Sequence, residues 1–299
     1  MALEDVLEAV PQLRVAQDVE QLAGGLTNTN YKVTTADGAY VVRISGKDTG
    51  LLAIDRANEI HNTIAASETG IGAPFVAALP ELDALVLEYM VGETMSPEVL
   101  RRGDRIGKIA ESCRRLHAGR RFVQDFDMFE IQRGYVDVVR ERGFRFPDRY
   151  ADFEPQVRTL EAAMRVHPEP TVPCNNDLLA ENFIDVDGVL RLIDYEYSGN
   201  NEPTFELGNV WSESDLSLAQ LEALVAEYYG RPLRNKVARA RLWGLMSKYG
   251  WTLWGSIQAG ISDLDFDFWD WAMGRYDRAV AEFDGPGFEQ LLEDVQRED

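Results

Sequence analysis

The most informative stretch of the sequence is NNDLLAENFIDVDGVLRLIDYEY, residues 175–197. Its middle holds two short runs rich in β-branched and aliphatic residues, joined by Asp187-Gly188, a dipeptide typical of tight hairpin turns. Polar residues flank the runs, with Asp177 before the first, Asn182 at its start and Asp194 after the second. The pattern predicts a β-hairpin flanked by residues that can carry chemistry.

The order and spacing of these polar residues are typical of phosphoryl transfer. Such sites use one Asp to orient or deprotonate the attacking hydroxyl, an Asn five residues later, and a second Asp after the next strand. Mg²⁺ prefers oxygen ligands and neutralises the phosphate charge. We therefore assign Asp177 as the catalytic residue and Asn182 and Asp194 as metal ligands. The alternative is a pair of Asx turns, because Asp and Asn are common at strand ends.

The composition excludes several classes of protein. The chain has 299 residues, 45% of them hydrophobic, and 51 acidic against 30 basic residues give a net charge of −21. Such a charge repels nucleic acid and anionic membranes. The two cysteines form no disulfide framework. Because no signal peptide and no run of ~18 apolar residues is visible, we expect a cytoplasmic protein without membrane insertion.

The secondary-structure signals predict an α+β fold with two lobes. Residues 1–91 form a β-rich N-terminal lobe, and residues 92–299 form a mainly helical C-terminal lobe after a hinge at Val91-Gly92. In the first lobe we predict strands at 29–35, 39–45, 75–79 and 84–89 and a helix at 55–68. In the second we predict helices at 104–117, 131–142, 152–166, 216–229, 234–259 and 266–283, followed by a solvated acidic tail. A ligand cleft between the lobes is expected.

A glycine-containing loop precedes the first predicted hairpin. Gly24 and Gly25 allow close backbone approach to phosphate, and Thr27 and Asn28 add side-chain donors. Taken alone, the loop also fits an ordinary glycine turn.

A basic residue follows on the next strand. Arg43 lies where kinases place a basic side chain on the phosphates, and Glu59 on the following helix is its candidate partner. The alternative for Arg43 is a solvated side chain on a strand face.

Aromatic residues are concentrated near the C-terminus. Trp251 and Trp254 are three residues apart and therefore lie on one helix face. Such a stripe is more often core packing than a ligand site, although electron-rich rings prefer a cation as guest. We assign Trp243 and Trp269 to the core.

Three stretches in the same order resemble the choline/ethanolamine kinase family, within the aminoglycoside-phosphotransferase-like group of protein-kinase-related folds. They are GGLTNTNYKV (24–33), PCNNDLLAENFI (173–184) with LIDYEYSGNNEPTFELGN (192–209), and KYGWTLWGSIQAGIS (248–262) followed by FDFWDWAMGRYDR (266–278). The resemblance spans nearly the whole chain. One departure is Asn175, where the family usually has His; Asn also donates and accepts hydrogen bonds, so we expect its supporting role to survive.

The resemblance implies roles for residues in all three stretches. ATP binding is implied for Gly25, Thr27, Asn28, Arg43 and Glu59, and catalysis for Asp177 with Mg²⁺ held by Asn182 and Asp194. The implied pocket for a quaternary ammonium consists of Tyr197, Glu213, Trp251, Trp254 and Trp271.

The sequence thus predicts an ATP-dependent, Mg²⁺-dependent kinase for the hydroxyl of choline or a close amino alcohol. Ethanolamine, an amino sugar or an aminoglycoside are alternative acceptors. A primary amine needs more carboxylates and carbonyls, whereas a trimethylammonium group favours tryptophan rings. A non-catalytic binding protein with the same fold is the alternative from a different class, since Asn175 departs from the family pattern. The oligomeric state stays open.

Overall fold

A five-stranded antiparallel sheet organises the N-terminal region of the computed structural model, which describes residues 2–47 and 49–298. The strands are β1 (Asp18–Gln21), β2 (Asn28–Thr34), β3 (Ala39–Ser45), β4 (Phe75–Leu79) and β5 (Ala84–Glu88), in the spatial order β1-β2-β3-β5-β4. The predicted β2–β3 hairpin and the strands β4 and β5 are confirmed. The pattern does not predict β1, because all of its residues are exposed and no alternation marks it.

Two helices accompany this sheet. Helix α1 (Ala2–Ala9) contributes Val6 to a small core that also contains Val33 and Val42 of the sheet. Helix α2 (Arg56–Glu68) confirms the helix predicted at 55–68. Asp55 caps it by accepting hydrogen bonds from the amides of residues 57 and 58, which satisfies donors that a helix start leaves open.

The rest of the chain is mainly helical, as predicted. Its helices are α3 (Pro97–Leu100), α4 (Ile106–His117), α5 (Met128–Arg142), α6 (Glu154–Met164), α7 (Pro203–Glu213), α8 (Leu218–Tyr229), α9 (Arg234–Ile261), α10 (Phe268–Phe283) and α11 (Phe288–Val295). Helices α7 and α9 pack closely where Gly208 faces Ala240, since a Cβ on Gly208 would lie 2.1 Å from the Ala240 carbonyl oxygen. The contact brings the end of α7 beside the aromatic segment of α9.

Two small sheets lie within the helical region. Strands β8 (Phe183–Val186) and β9 (Val189–Leu192) form the predicted hairpin, and β6 (Glu93–Thr94) pairs with β8. The turn between β8 and β9 consists of Asp187 and Gly188, both at positive φ, as this type of tight turn requires. Strand β7 (Val172–Cys174) pairs with β10 (Gly199–Asn201). The two pairs hold the segments before and after the hairpin side by side.

Two expectations for the C-terminal region are wrong. The expected acidic tail contains α11, because Phe288, Leu291 and Val295 share an apolar face that packs into the main core. Trp269 is half-buried rather than in the core, and the Arg145 guanidinium stacks 3.9 Å from its ring centroid. Trp243 is buried as expected.

The predicted division at residues 91 and 92 lies between β5 and β6, and it stays a prediction. Within residues 2–47 and 49–298, no helix has the length and apolar character needed to cross a membrane.

Candidate active site

A cavity of about 250 Å³ brings together most of the residues singled out in the sequence. Those that line it are Gly25, Thr27, Asp177, Asn182, Asp194, Tyr197, Glu213, Trp251, Trp254 and Trp271. Asn28, Arg43 and Glu59 are not part of this lining, but Arg43 contacts Asp194, which is. The glycine loop, the ends of the β8–β9 hairpin, the end of α7 and helices α9 and α10 therefore meet at one place.

Asn175 connects the segment of Asp177 to the segment of Asp194. Its side-chain nitrogen donates hydrogen bonds to the carbonyl oxygens of Ile193 (3.1 Å) and Asp194 (2.8 Å). Its side-chain oxygen accepts a hydrogen bond from the amide of Asp177 at 3.1 Å. Asp194 has a φ of +65°, an uncommon backbone conformation that this contact helps to hold. The residue that departs from the family pattern thus still has donors and an acceptor in use.

Glu206 holds the backbone of the segment that contains Asn175, and sequence reasoning missed it. This buried carboxylate accepts hydrogen bonds from the backbone amides of Asn175 (2.9 Å) and Asn176 (2.8 Å). His117 and Cys174 lie beside it, and burial raises the pKa of the Cys174 thiol. Since both oxygens of Glu206 accept backbone hydrogen bonds, the cluster holds the loop in place. An acidic residue in the middle of the largely apolar α7 segment was the available signal.

Asn182 and Asp194 offer the oxygen ligands that Mg²⁺ prefers. The side-chain nitrogen of Asn182 donates to the carbonyl oxygen of Asp177 at 2.7 Å, so its amide oxygen is available to a cation. The Asp194 carboxylate is 30% exposed and lines the cavity, with Oδ1 accepting a hydrogen bond from Arg43 at 2.7 Å. The residues present therefore fit a magnesium ion.

Arg43 stands at the centre of a buried ionic network. It contacts Glu59 at 3.4 Å, Asp194 at 2.7 Å and Glu196 at 3.0 Å. Burial opposes the charge of Arg43, but the three carboxylates together raise its pKa above the usual value. The guanidinium therefore stays charged, and the predicted pairing of Arg43 with Glu59 is present.

The glycine loop is tied to this network through Glu196. Thr27 donates to Glu196 at 2.7 Å and Asn28 donates to it at 2.8 Å, so these two side chains are engaged by a carboxylate. Gly25 has a φ of +100°, and a Cβ there would lie 2.8 Å from the Asn28 carbonyl oxygen. Sequence reasoning missed Glu196, although it stands two residues after Asp194.

Arg56 is a second cation that sequence reasoning missed. It contacts Glu59 at 2.6 Å and Glu196 at 3.3 Å, and it donates to the Asn28 side-chain oxygen at 2.9 Å. Helix α2 thereby joins the glycine loop to the residues that follow the hairpin.

Aromatic rings form the other end of the cavity. The Trp254 indole nitrogen donates to the Tyr197 hydroxyl at 2.7 Å, and the Tyr197 and Trp251 rings lie 4.8 Å apart. Trp271 on α10 adds a third indole, 5.0 Å from that of Trp254. Trp251 and Trp254 share one face of α9, as predicted, and this face lines the cavity.

One ion pair lies among these rings. Glu213 at the end of α7 pairs with Arg275 on α10, and the Arg275 guanidinium lies 3.4 Å from the centroid of the Trp271 ring. Arg275 also lines the cavity, and sequence reasoning missed it.

Burial raises the pKa of the Asp177 carboxyl well above its usual value. The negative charges of Asp194 and Glu213 add to this rise, while the positive charge of Arg275 opposes it.

The fold and this cavity define a phosphotransferase of the protein-kinase-like type that acts on a small molecule. Residues 19–231 match the family model described as choline/ethanolamine kinase, and the chain belongs to this family of kinases that act on an alcohol group.

Proteins named as ethanolamine kinases and proteins named as choline kinases are both similar to the chain. Ethanolamine kinase 2 of Rattus norvegicus is 29% identical over 80% of this chain and 68% of its own length. A choline/ethanolamine kinase family protein from Mesorhizobium loti has a TM-score of 0.85 and 31% identity, covering 99% of both chains. The choline kinase LicA from Streptococcus pneumoniae has a TM-score of 0.81 and 27% identity, covering 95% of this chain and 99% of its own.

Proposed function

We propose that the protein transfers the terminal phosphoryl group of ATP to the hydroxyl of choline, giving the phosphomonoester and ADP. The observation that carries this proposal is one cavity lined by Asp177, by the oxygen ligands Asn182 and Asp194 and by three indole rings. We propose a cytoplasmic location, where ATP is available.

Asp177 orients the acceptor hydroxyl and receives its proton. Burial and neighbouring carboxylates raise its pKa, which makes the carboxylate a better proton acceptor than an exposed Asp. The hydrogen bonds through Asn175 fix its backbone relative to Asp194. A fixed base matters because a hydroxyl must lie in line with the phosphorus that it attacks.

The opposite side of the cavity holds the nucleotide phosphates. Asn182 and Asp194 would hold Mg²⁺, which when bound neutralises charge on the phosphate oxygens. Arg43 adds a buried positive charge beside Asp194. The glycine loop brings backbone amides close to the same place, which is the usual way to cradle phosphates.

The aromatic end suits a quaternary ammonium group. Such a cation donates no hydrogen bonds and binds through the faces of electron-rich rings. Trp251, Trp254, Trp271 and Tyr197 provide the rings, and Glu213, which is paired with Arg275, adds a carboxylate. Choline places its hydroxyl two carbons from the ammonium nitrogen, so both groups fit one small cavity.

Ethanolamine is the second candidate, favoured by the names of relatives such as the rat enzyme. Steady-state kinetics with Mg²⁺-ATP and each acceptor separate the two, with ADP release as the signal. We expect a higher kcat/KM for choline. A higher value for ethanolamine, an amino sugar or an aminoglycoside would contradict the choline assignment, and no turnover of any of them would favour the non-catalytic alternative.

A further inference from the structure

The aromatic pocket contains a cation of its own. Arg275 lies one helical turn after Trp271 on α10, and its guanidinium stacks on that ring with 3.4 Å between its carbon and the ring centroid. It also pairs with Oε2 of Glu213. The side chains are 11% and 2% exposed, so solvent screens this contact poorly. Nothing fits between the guanidinium and the ring at that separation.

The contact determines what the pocket can offer to an acceptor. One face of Trp271 is covered, and one oxygen of Glu213 is taken. The other oxygen, Oε1, is buried and has no hydrogen-bond partner in the part of the chain that the structure describes. Glu213 lines the cavity, so this oxygen is the acceptor that it keeps for a ligand. The ring faces that Arg275 leaves uncovered belong to Trp251, Trp254, Tyr197 and the other side of Trp271.

We infer that Arg275 is a specificity-determining residue that favours quaternary over primary ammonium acceptors; this inference rests on the proposed function. A primary ammonium group donates three hydrogen bonds, and Glu213 can meet only part of that need while Arg275 occupies Oε2. A quaternary ammonium needs no acceptor and uses the ring faces. Repulsion by the guanidinium acts on both cations, so it does not discriminate between them. The discrimination comes from the hydrogen bonds that only the primary ammonium group needs.

The test replaces Arg275 by Met, which keeps a long apolar side chain on Trp271 but frees both oxygens of Glu213. We expect the ratio of kcat/KM for choline to that for ethanolamine to fall by about tenfold or more, mainly through better use of ethanolamine. The KM for ATP should stay within about twofold of its original value. Arg278→Met is the matched control, because Arg278 lies on the same helix, is exposed and pairs with Asp215. It should leave the ratio unchanged.

A second variant keeps the test decisive if Arg275→Met alone does not fold with an unpaired Glu213. Arg275→Met combined with Glu213→Gln removes both charges and leaves one amide oxygen at position 213 in place of the two carboxylate oxygens. The ratio should then equal or exceed that of the unmodified protein, because Glu213 supplies the hydrogen bonds that favour ethanolamine. A lower ratio in the double variant would overturn the inference.

The possible failures can be distinguished. If the unmodified protein prefers ethanolamine, or neither binds nor phosphorylates either acceptor by calorimetry and kinetics, the choline assignment fails and the inference fails with it. If the unmodified protein prefers choline and the folded Arg275→Met variant keeps its ratio within about twofold, only the inference fails. An equal loss for both acceptors would show a purely structural role for Arg275 and would also overturn it.

Discussion

The two ends of the cavity bind charge by different means. At the phosphate end, Arg43 and Arg56 form a buried network with Asp194, Glu196 and Glu59. At the acceptor end, three indoles and a phenol line the cavity together with one ion pair, Glu213 with Arg275. Charges in such a network can exchange partners when an anionic nucleotide and its metal arrive. Rings instead recognise a large, weakly hydrated cation without hydrogen bonds. The two ends should therefore respond separately to mutation.

The largest expected effect lies where the two ends meet. Asp177→Asn should lower kcat by about 10²–10⁴-fold, the usual range for loss of a general base. Binding of ATP and of the acceptor should change little, because the amide is nearly isosteric with the carboxylate. Rapid-quench or steady-state kinetics measure the change. Asp187→Asn at the exposed tip of the β8–β9 hairpin is the control and should retain full activity. Unchanged kcat in Asp177→Asn would remove Asp177 from the mechanism.

The second prediction affects only the phosphate end. Asp194→Ala should abolish most of the gain in ATP affinity that Mg²⁺ provides, because it removes the main anionic ligand for the cation. Titration of ATP with and without Mg²⁺ measures this gain, and choline binding should persist. If Mg²⁺ improves ATP affinity equally in the variant, another residue holds the metal.

The third prediction affects only the acceptor end. Trp254→Ala should raise the KM for choline by about tenfold or more, because a desolvated cation over tryptophan gains ~2 kcal/mol. The KM for ATP should stay near its original value. Trp269→Ala provides the control, since Trp269 stacks on Arg145 and does not line the cavity. Equal rises in both KM values for Trp254→Ala would mean that the two ends are coupled.

The smallest expected effect again concerns the phosphate end of the cavity, and it should change only the KM for ATP. Glu59→Gln should raise the KM for ATP by about fivefold, which corresponds to about 1 kcal/mol. The effect is modest because Arg43 keeps Asp194 and Glu196 as partners. Glu68→Gln on the same helix is the control, because Glu68 is exposed and pairs with Arg120 at the surface. A rise in the KM for choline instead would contradict the assignment of Glu59 to the nucleotide side.

Local patterns account for what the sequence predicts well. The β8–β9 hairpin is encoded by two strand-like runs and an Asp-Gly turn, so Asn182 and Asp194 fall at its ends without any knowledge of tertiary contacts. The separation of Trp251 and Trp254 similarly places both on one face of α9. Periodicity within one element is enough for these residues.

The missed residues depend on contacts between elements. Glu206 binds amides of the Asn175 segment, and Arg275 pairs with Glu213 on another helix. No spacing rule connects such positions. Helix α7 was missed because it is buried on nearly all sides and therefore lacks an amphipathic period. In α11, the acidic composition concealed an apolar stripe of three residues.

Competition between the two acceptors tests the central claim most directly. The purified protein is incubated with Mg²⁺-ATP and equal concentrations of choline and ethanolamine, and the phosphomonoester products are resolved by ³¹P NMR. Phosphocholine should be the main product, because the indole rings and the Glu213–Arg275 pair favour a quaternary ammonium. A mixture in which phosphoethanolamine predominates would contradict this account of the acceptor pocket.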